Sequence, residues 1–120
     1  FDKYAGATGL TEGQAQDAEG IETVSAVVDS RSKHGMIKGT KPWTIKLVFG
    51  RDTQKLIGGQ IISDSQAPAK EIDTVSALIF GGKTISDLTT FMCAGHPDCS
   101  SEPSLEPIAI AAEQCLQKLR

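Results

Sequence analysis

Cysteine, aromatic residues and positive charge are all scarce in this sequence of 120 residues. Three cysteines are an odd number and too few for the disulfide framework of a small secreted domain, so we expect reduced thiols. A formal net charge of −3 supplies no basic surface for nucleic acid or for an anionic membrane. No stretch approaches the roughly 18 consecutive apolar residues that a membrane span requires.

The N-terminus has neither an initiator methionine nor the pattern of a signal peptide. Phe1 is followed at once by Asp2 and Lys3, whereas a signal peptide continues into an apolar run. We therefore expect a cytoplasmic protein and a fragment of a longer polypeptide. The length and the hydrophobic content of 39% fit a single domain over residues 1–120.

Three stretches rich in β-branched and aliphatic residues predict strands, and they are residues 22–29, 43–49 and 56–63. In the first stretch, Val24, Ala26 and Val28 share one face, as the period of a half-buried strand requires. The last stretch contains Gly58 and Gly59, a pair that suits a bulge or a close backbone approach. The turn between the last two strands predicts an antiparallel hairpin, and residues 31–41 are predicted to form a loop.

Helical spacing and capping signals predict helices over residues 11–20, 67–80, 84–91 and 104–119. Thr11 with Gln14, and Thr84 with Asp87, have the spacing of capping boxes. Ser104 is the expected N-cap of the last helix. The buried side of that helix is predicted to contain Leu105, Ile108, Ala112, Cys115 and Leu119.

The order of these elements indicates an α+β fold in which helices pack on an antiparallel sheet. Met36, Met92 and Trp43 are interpreted as packing residues of the core. The polar loop over residues 31–41 carries a mildly basic group of side chains that includes His34, and we interpret it as solvated.

Four motifs follow one another along nearly the whole chain. They are GLTE at residues 9–12, KLVF and LIGGQI within residues 46–61, the helix over residues 71–78 followed by TISDL at 84–88, and EPI at 106–108. Together they resemble the C-terminal dimerisation (interface) domain of FAD-dependent pyridine nucleotide-disulfide oxidoreductases. The branch that contains NADH oxidases, coenzyme A-disulfide reductases and polysulfide reductases is the most similar.

The resemblance implies the interface-domain fold and a homodimer that buries the helix over residues 71–80 and the C-terminal helix. It also implies a parent flavoenzyme that uses FAD and NAD(P)H through domains absent from this chain. The glycines at residues 6–9 lack the G-x-G-x-x-G pattern of a dinucleotide-binding turn, so we interpret them as a loop. We expect the isolated chain to bind neither cofactor and to be inactive.

Residues 96–102 read HPDCSSE and resemble the His-Pro-x-x-Ser-Glu signature that glutathione reductase-like members place at the partner subunit's active site. By that resemblance, His96 is the general acid-base for a dithiol and Glu102 holds its ring, because an imidazole exchanges protons near neutral pH. Cys99 makes the spacing one residue longer than in those reductases. The tyrosines that the NADH oxidase branch presents at this site have no counterpart here, since the one tyrosine is Tyr4.

Three other interpretations of this region stay open. His96 can be a loop histidine beside a turn formed by Pro97. Cys93, His96 and Cys99 can instead ligate zinc, in which case the chain is an independent small binding module with a Cys/His metal site. Cys93 and Cys99 can also form a redox pair, although the sequence gives no sign of a lowered thiol pKa.

Overall fold

The computed structural model describes residues 3–92, 94–96 and 99–120, which form a four-stranded antiparallel sheet packed with helices. The strands are β1 (Tyr4–Gly9), β2 (Thr23–Arg31), β3 (Pro42–Gly50) and β4 (Leu56–Ser63). The helices are α1 (Glu12–Glu19), α2 (Gln66–Lys70), α3 (Ile72–Phe80), α4 (Ile85–Leu88) and α5 (Pro107–Lys118), with a 3-10 turn at Pro103–Leu105. The strand order is β1-β4-β3-β2, and the predicted α+β class is confirmed.

Strand β1 was not predicted, and the interpretation of residues 6–9 as a loop is wrong. Gly6 pairs with Ile61, and Gly9 pairs with Gly58, in antiparallel register. Glycine and alanine have weak intrinsic strand preference, so this strand depends on backbone pairing with β4 rather than on its own sequence. Gly6 also lies close to α3, because a Cβ there would be 3.3 Å from Ile72.

The inner face of the sheet carries the core, with α3 over β1 and β4 and α5 over β2 and β3. The predicted alternation of β2 is confirmed, since Val24, Ala26 and Val28 are buried. Cys115 and Trp43 are also buried, as expected. Met36 and Met92 are exposed by 90% and 73%, so their interpretation as core residues of this chain is wrong.

Both predicted capping boxes are present, on α1 and on α4, but two helix predictions are wrong. The single helix expected over residues 67–80 is divided into α2 and α3 at Glu71, whose N–H bonds the carbonyl of Pro68 in a tighter turn. The last helix begins at Pro107 instead of near Ser104, and Leu105 is 55% exposed. Within the described residues, no helix has the length and apolar character needed to cross a membrane.

Pro107 explains the late start of α5. A proline disfavours helical geometry at the residue before it, and Glu106 is accordingly extended, with ψ of 113°. Proline itself is well suited to the first position of a helix. The carboxylate of Glu106 then accepts the N–H of Ile108 at 3.1 Å and caps the helix in place of the predicted serine.

The chain passes very close over β4 as it leaves β1 for α1. The N–H of Leu10 donates to the carbonyl of Ile57 at 2.8 Å, and a Cβ on Gly58 would lie 1.8 Å from the carbonyl oxygen of Leu10. On the other face, a Cβ on Gly59 would lie 2.6 Å from Val75 of α3. The close backbone approach predicted for this glycine pair is confirmed.

We expect Gly58→Ala to lower the free energy of unfolding by about 2 kcal/mol or more, because the added methyl group meets backbone that cannot rotate away. Gly35→Ala is the matched control, since nothing lies within 4 Å of a Cβ at that position. Urea or thermal unfolding of the two variants measures the difference. Equal stability of the variants would contradict the close approach described here.

Candidate functional site

A pocket lies at the end of the sheet where β2 ends and β3 begins. The loop over residues 32–41 joins these two strands, and residues from the segment before α5 lie next to it. The hollow between the two segments has a volume of about 360 Å³. Its lining consists of His34, Ile37, Gly95, His96, Ser100, Ser101 and Glu102.

Ser101 fastens the segment before α5 to the sheet. Its Oγ accepts the indole N–H of Trp43 at 3.1 Å and the hydroxyl of Ser30 at 3.2 Å. The same hydroxyl donates to the carbonyl of Arg31 at 2.7 Å. Because all three partners belong to β2 and β3, the position of Glu102 beside the pocket follows from the register of these strands.

A short turn presents His96 to the pocket. The backbone N–H groups of Cys99 and Ser100 donate to the carbonyl of His96 at 3.1 and 2.9 Å, and the N–H of His96 donates to Ser100 Oγ at 3.0 Å. The side chain of His96 is exposed, as an acid-base group for an external substrate must be. The predicted turn role of Pro97 lies outside the described residues.

The neck of the loop over residues 32–41 is closed by hydrogen bonds. Ser32 donates its N–H to the carbonyl of Lys41 at 2.8 Å, and Lys41 donates its N–H to Ser32 Oγ at 3.0 Å. Thr40 Oγ1 donates to the carbonyl of Lys33 at 2.9 Å. These contacts leave His34 and its neighbours at the tip of the loop, where they meet the segment that carries Glu102.

Glu102 contacts the ring of His34 across the two segments. The distance from His34 Nε2 to Glu102 Oε1 is 3.5 Å. On the other side of the ring, His34 Nδ1 accepts the N–H of Met36 at 3.1 Å. Ser104 Oγ donates to the same Glu102 oxygen at 2.8 Å.

The structure therefore brings both predicted site residues, His96 and Glu102, to one pocket and adds His34 as a third titratable group. The pairing of His96 with Glu102 stays a prediction. Sequence reasoning missed His34 because its contact joins segments that are far apart along the chain. The available signal was that His34 is one of only two histidines and lies in a loop before a strand.

The zinc and redox interpretations both depend on Cys93 and Cys99. Cys93 lies outside the described residues, and with it the complete Cys93, His96 and Cys99 set. Within the described part of the chain, no group of three His, Cys, Asp or Glu side chains could hold a metal ion. Cys99 is exposed, whereas Cys115 is fully buried in the core, and this burial raises the pKa of Cys115 to about 11.

Residues 1–106 match the family model described as the pyridine nucleotide-disulphide oxidoreductase dimerisation domain. This chain belongs to that family. The resemblance inferred from the motifs is confirmed, and the chain is a dimerisation domain of a pyridine nucleotide-disulfide oxidoreductase. No curated protein sequence matches it.

Solved structures support the same fold. An NAD-dependent persulfide reductase from A. fulgidus is 27% identical with a TM-score of 0.86, over 98% of this chain and 21% of that one. A water-forming NADH oxidase from Lactobacillus brevis, bound to NADH, is 24% identical with a TM-score of 0.84, over 99% and 26%. Reduced CoADR-RHD from Bacillus anthracis has the same identity and TM-score, over 99% and 21%. The dimerisation domain thus spans about a quarter or less of each of these chains.

We expect Ser101→Ala to destabilise the dimerisation domain by about 1–2 kcal/mol, because the indole N–H of Trp43 loses its buried acceptor. Trp43 is the one tryptophan, so its fluorescence emission reports the change directly. Ser104→Ala, at a nearby exposed serine, is the control and should leave the emission of Trp43 as it is. An unchanged emission spectrum in Ser101→Ala would contradict the anchoring role of this hydroxyl.

The two described cysteines should differ sharply in reactivity, since the thiolate is the nucleophile and burial disfavours it at Cys115. We expect iodoacetamide at mildly alkaline pH to modify Cys99 in the folded protein and to modify Cys115 only after unfolding in urea. Mass spectrometry of the peptides measures both sites. Labelling of Cys115 at the rate of Cys99 without denaturant would contradict the burial of its thiol.

Proposed function

We propose that the full polypeptide is a cytoplasmic, homodimeric, FAD-dependent NAD(P)H oxidoreductase acting on a disulfide, a polysulfide or oxygen. In this proposal, the loop around His96 completes the active site of the other subunit. The match of residues 1–106 to the dimerisation-domain family carries the proposal. The similar structures include a persulfide reductase and an NADH oxidase, which supports this range of substrates.

The glycines of this chain that come nearest to a phosphate-binding pattern do not form a dinucleotide-binding turn. Gly6 and Gly9, the glycines nearest to a phosphate-binding pattern, belong to β1, and their strand is hydrogen-bonded to β4. A phosphate cradle needs backbone N–H groups that point away from a sheet ladder toward the ligand. We therefore assign FAD and NAD(P)H to other domains of the same polypeptide.

An apolar surface beside α5 supports association with a second copy. Met92 and Leu105 are exposed by 73% and 55%, and Phe80 at the end of α3 is exposed by 95%. A hollow of about 370 Å³ lies next to α5, and its lining includes Phe91, Met92, Ala109 and Ile110. Exposed apolar groups of this size are usually covered by a partner. We propose α3 and α5 as the surfaces buried in the homodimer.

The outer face of the sheet is suited to the missing domains of the same polypeptide. Val27 on β2 and Ile62 on β4 are each 56% exposed on this face. They line a shallow hollow of about 590 Å³ together with small residues of β1, including Ala5 and Ala7. Because α3 and α5 already cover the inner face, the two partners can bind at the same time.

In the proposed dimer, His96 handles the proton of thiol-disulfide exchange. Its imidazole accepts the proton of an attacking thiol, the thiolate forms a new S–S bond as the old one breaks, and the released thiolate takes the proton back. No net proton is gained by the imidazole over the cycle, which is the requirement for a general acid-base. Its exposure on the wall of a pocket fits this use.

We expect His96→Ala in the full polypeptide to lower turnover by roughly 100- to 10,000-fold, the usual contribution of a positioned acid-base group. Dimerisation should be retained, because His96 lies outside the apolar surface beside α5. Glu102→Gln should lower activity less, since a carboxylate that supports the pocket acts indirectly. Steady-state kinetics and sedimentation of the variants measure both properties. Near-normal turnover of His96→Ala would identify His96 as a loop residue without a catalytic role.

Mixed dimers test whether His96 acts on the other subunit. Subunits with His96→Ala are combined with subunits that lack the redox-active cysteine, which the resemblance to the family implies in another domain of the polypeptide, so that each homodimer alone is inactive. A mixed dimer then contains one complete site, and we expect it to regain up to about half of the wild-type activity per dimer. Failure to regain activity in verified mixed dimers would contradict a site shared between subunits.

A further inference from the structure

We propose that His34 is a positioning residue of the His96 pocket, and that its pair with Glu102 fixes the wall against which the substrate binds. The proposal rests on the proposed function of this pocket. It concerns a residue outside the motif that resembles known signatures. The observation behind it is the contact of 3.5 Å between His34 Nε2 and Glu102 Oε1, which joins the two segments that form the pocket.

The ring of His34 is held at both nitrogens. Nδ1 accepts the N–H of Met36 at 3.1 Å, and an acceptor nitrogen carries no proton. The ring proton of the neutral form therefore lies on Nε2, which faces Glu102. A histidine fixed in this way orients its surroundings, whereas a proton shuttle needs one nitrogen directed at the substrate.

Glu102 is itself held in place by contacts of its own segment. The hydroxyl of Ser104 donates to its Oε1 at 2.8 Å, and the preceding residue, Ser101, is bonded to Trp43 in the core. The position of Glu102 thus follows from the sheet. Through its contact with Glu102, His34 fixes the tip of the loop over residues 32–41 relative to the sheet.

The loop over residues 32–41 depends on this contact at its tip. The hydrogen bonds between Ser32 and Lys41 close its neck, and Ile37, which forms an apolar part of the pocket wall, is hydrogen-bonded to His34 and Thr40 of the same loop. Among the described residues, the pair between His34 and Glu102 joins the tip of the loop to the segment before α5. Loss of the pair should therefore weaken substrate binding and leave proton transfer by His96 in place.

The exposure of the two side chains determines how strongly loss of the pair should weaken substrate binding. The side chains of His34 and Glu102 are 44% and 34% exposed, so their contact is screened by water and contributes modestly. We expect a change in binding of about two- to tenfold, which is the range of a partly exposed pair. This is far smaller than the loss expected when an acid-base group is removed.

The kinetic experiment uses the full polypeptide with the aromatic disulfide 5,5′-dithiobis(2-nitrobenzoic acid) as substrate. His34→Gln and Glu102→Gln should each raise KM by about two- to tenfold while kcat stays within about twofold of the wild type. The double variant should show no further loss, because both substitutions remove one contact. Lys38→Ala, at an exposed position of the same loop, is the control and should leave KM unchanged. Multiplying effects in the double variant, or a loss confined to kcat, would overturn the proposal.

A second experiment tests the pair in this chain without any catalytic reaction. The chain has two histidines, so their imidazole NMR signals are assigned with His34→Gln and His96→Gln. Glu102→Ala should shift the ring signals of His34, whatever its effect on the signals of His96. A shift of the His96 signals with those of His34 unchanged would overturn the proposal. The two proposals can fail separately. If NMR shows the pair but the full polypeptide binds no flavin or reduces no disulfide, the proposed function is wrong, whereas the pairing of His34 with Glu102 is retained.

Discussion

The hydroxyl of Ser101 is the contact on which the candidate site depends. It binds the indole of Trp43, whose ring is part of the core, and the backbone at the end of β2. The described part of the segment before α5 has little regular structure beyond the 3-10 turn at Pro103–Leu105, so its position comes from this attachment. The rigid sheet thereby fixes where Glu102 lies, and Glu102 in turn meets His34 on the neighbouring loop.

Local signals in the sequence predicted the parts of the fold that form locally. The alternation in β2 and the capping boxes of α1 and α4 follow from neighbouring residues. The adjacent pair Gly58 and Gly59 indicated a close backbone approach, but not that Leu10 would be its partner. Strand β1 could not be predicted in this way, because its glycine and alanine residues form a strand through pairing with β4. The start of α5 was a different error, since Pro107 already excluded a helical Glu106.

The candidate site likewise contains residues that a local motif predicts and a residue that the sequence alone does not indicate. His96 and Glu102 were predicted as site residues because they lie in one short motif, and both line one pocket. His34 was not found, because only the meeting of two distant loops brings it to Glu102. Met92 is another residue whose environment the sequence alone does not indicate. The sequence shows that the side chain is large and apolar, but not whether its own chain or a second copy covers it.

Association of this chain with its own copy is the property on which the proposed shared site depends. Sedimentation equilibrium of the chain at high micromolar concentration tests this association most directly. We expect the mass of two chains of 12.7 kDa each, and a shift toward the monomer when Met92 and Phe80 are replaced by polar residues. A single species of 12.7 kDa at this concentration would contradict this association.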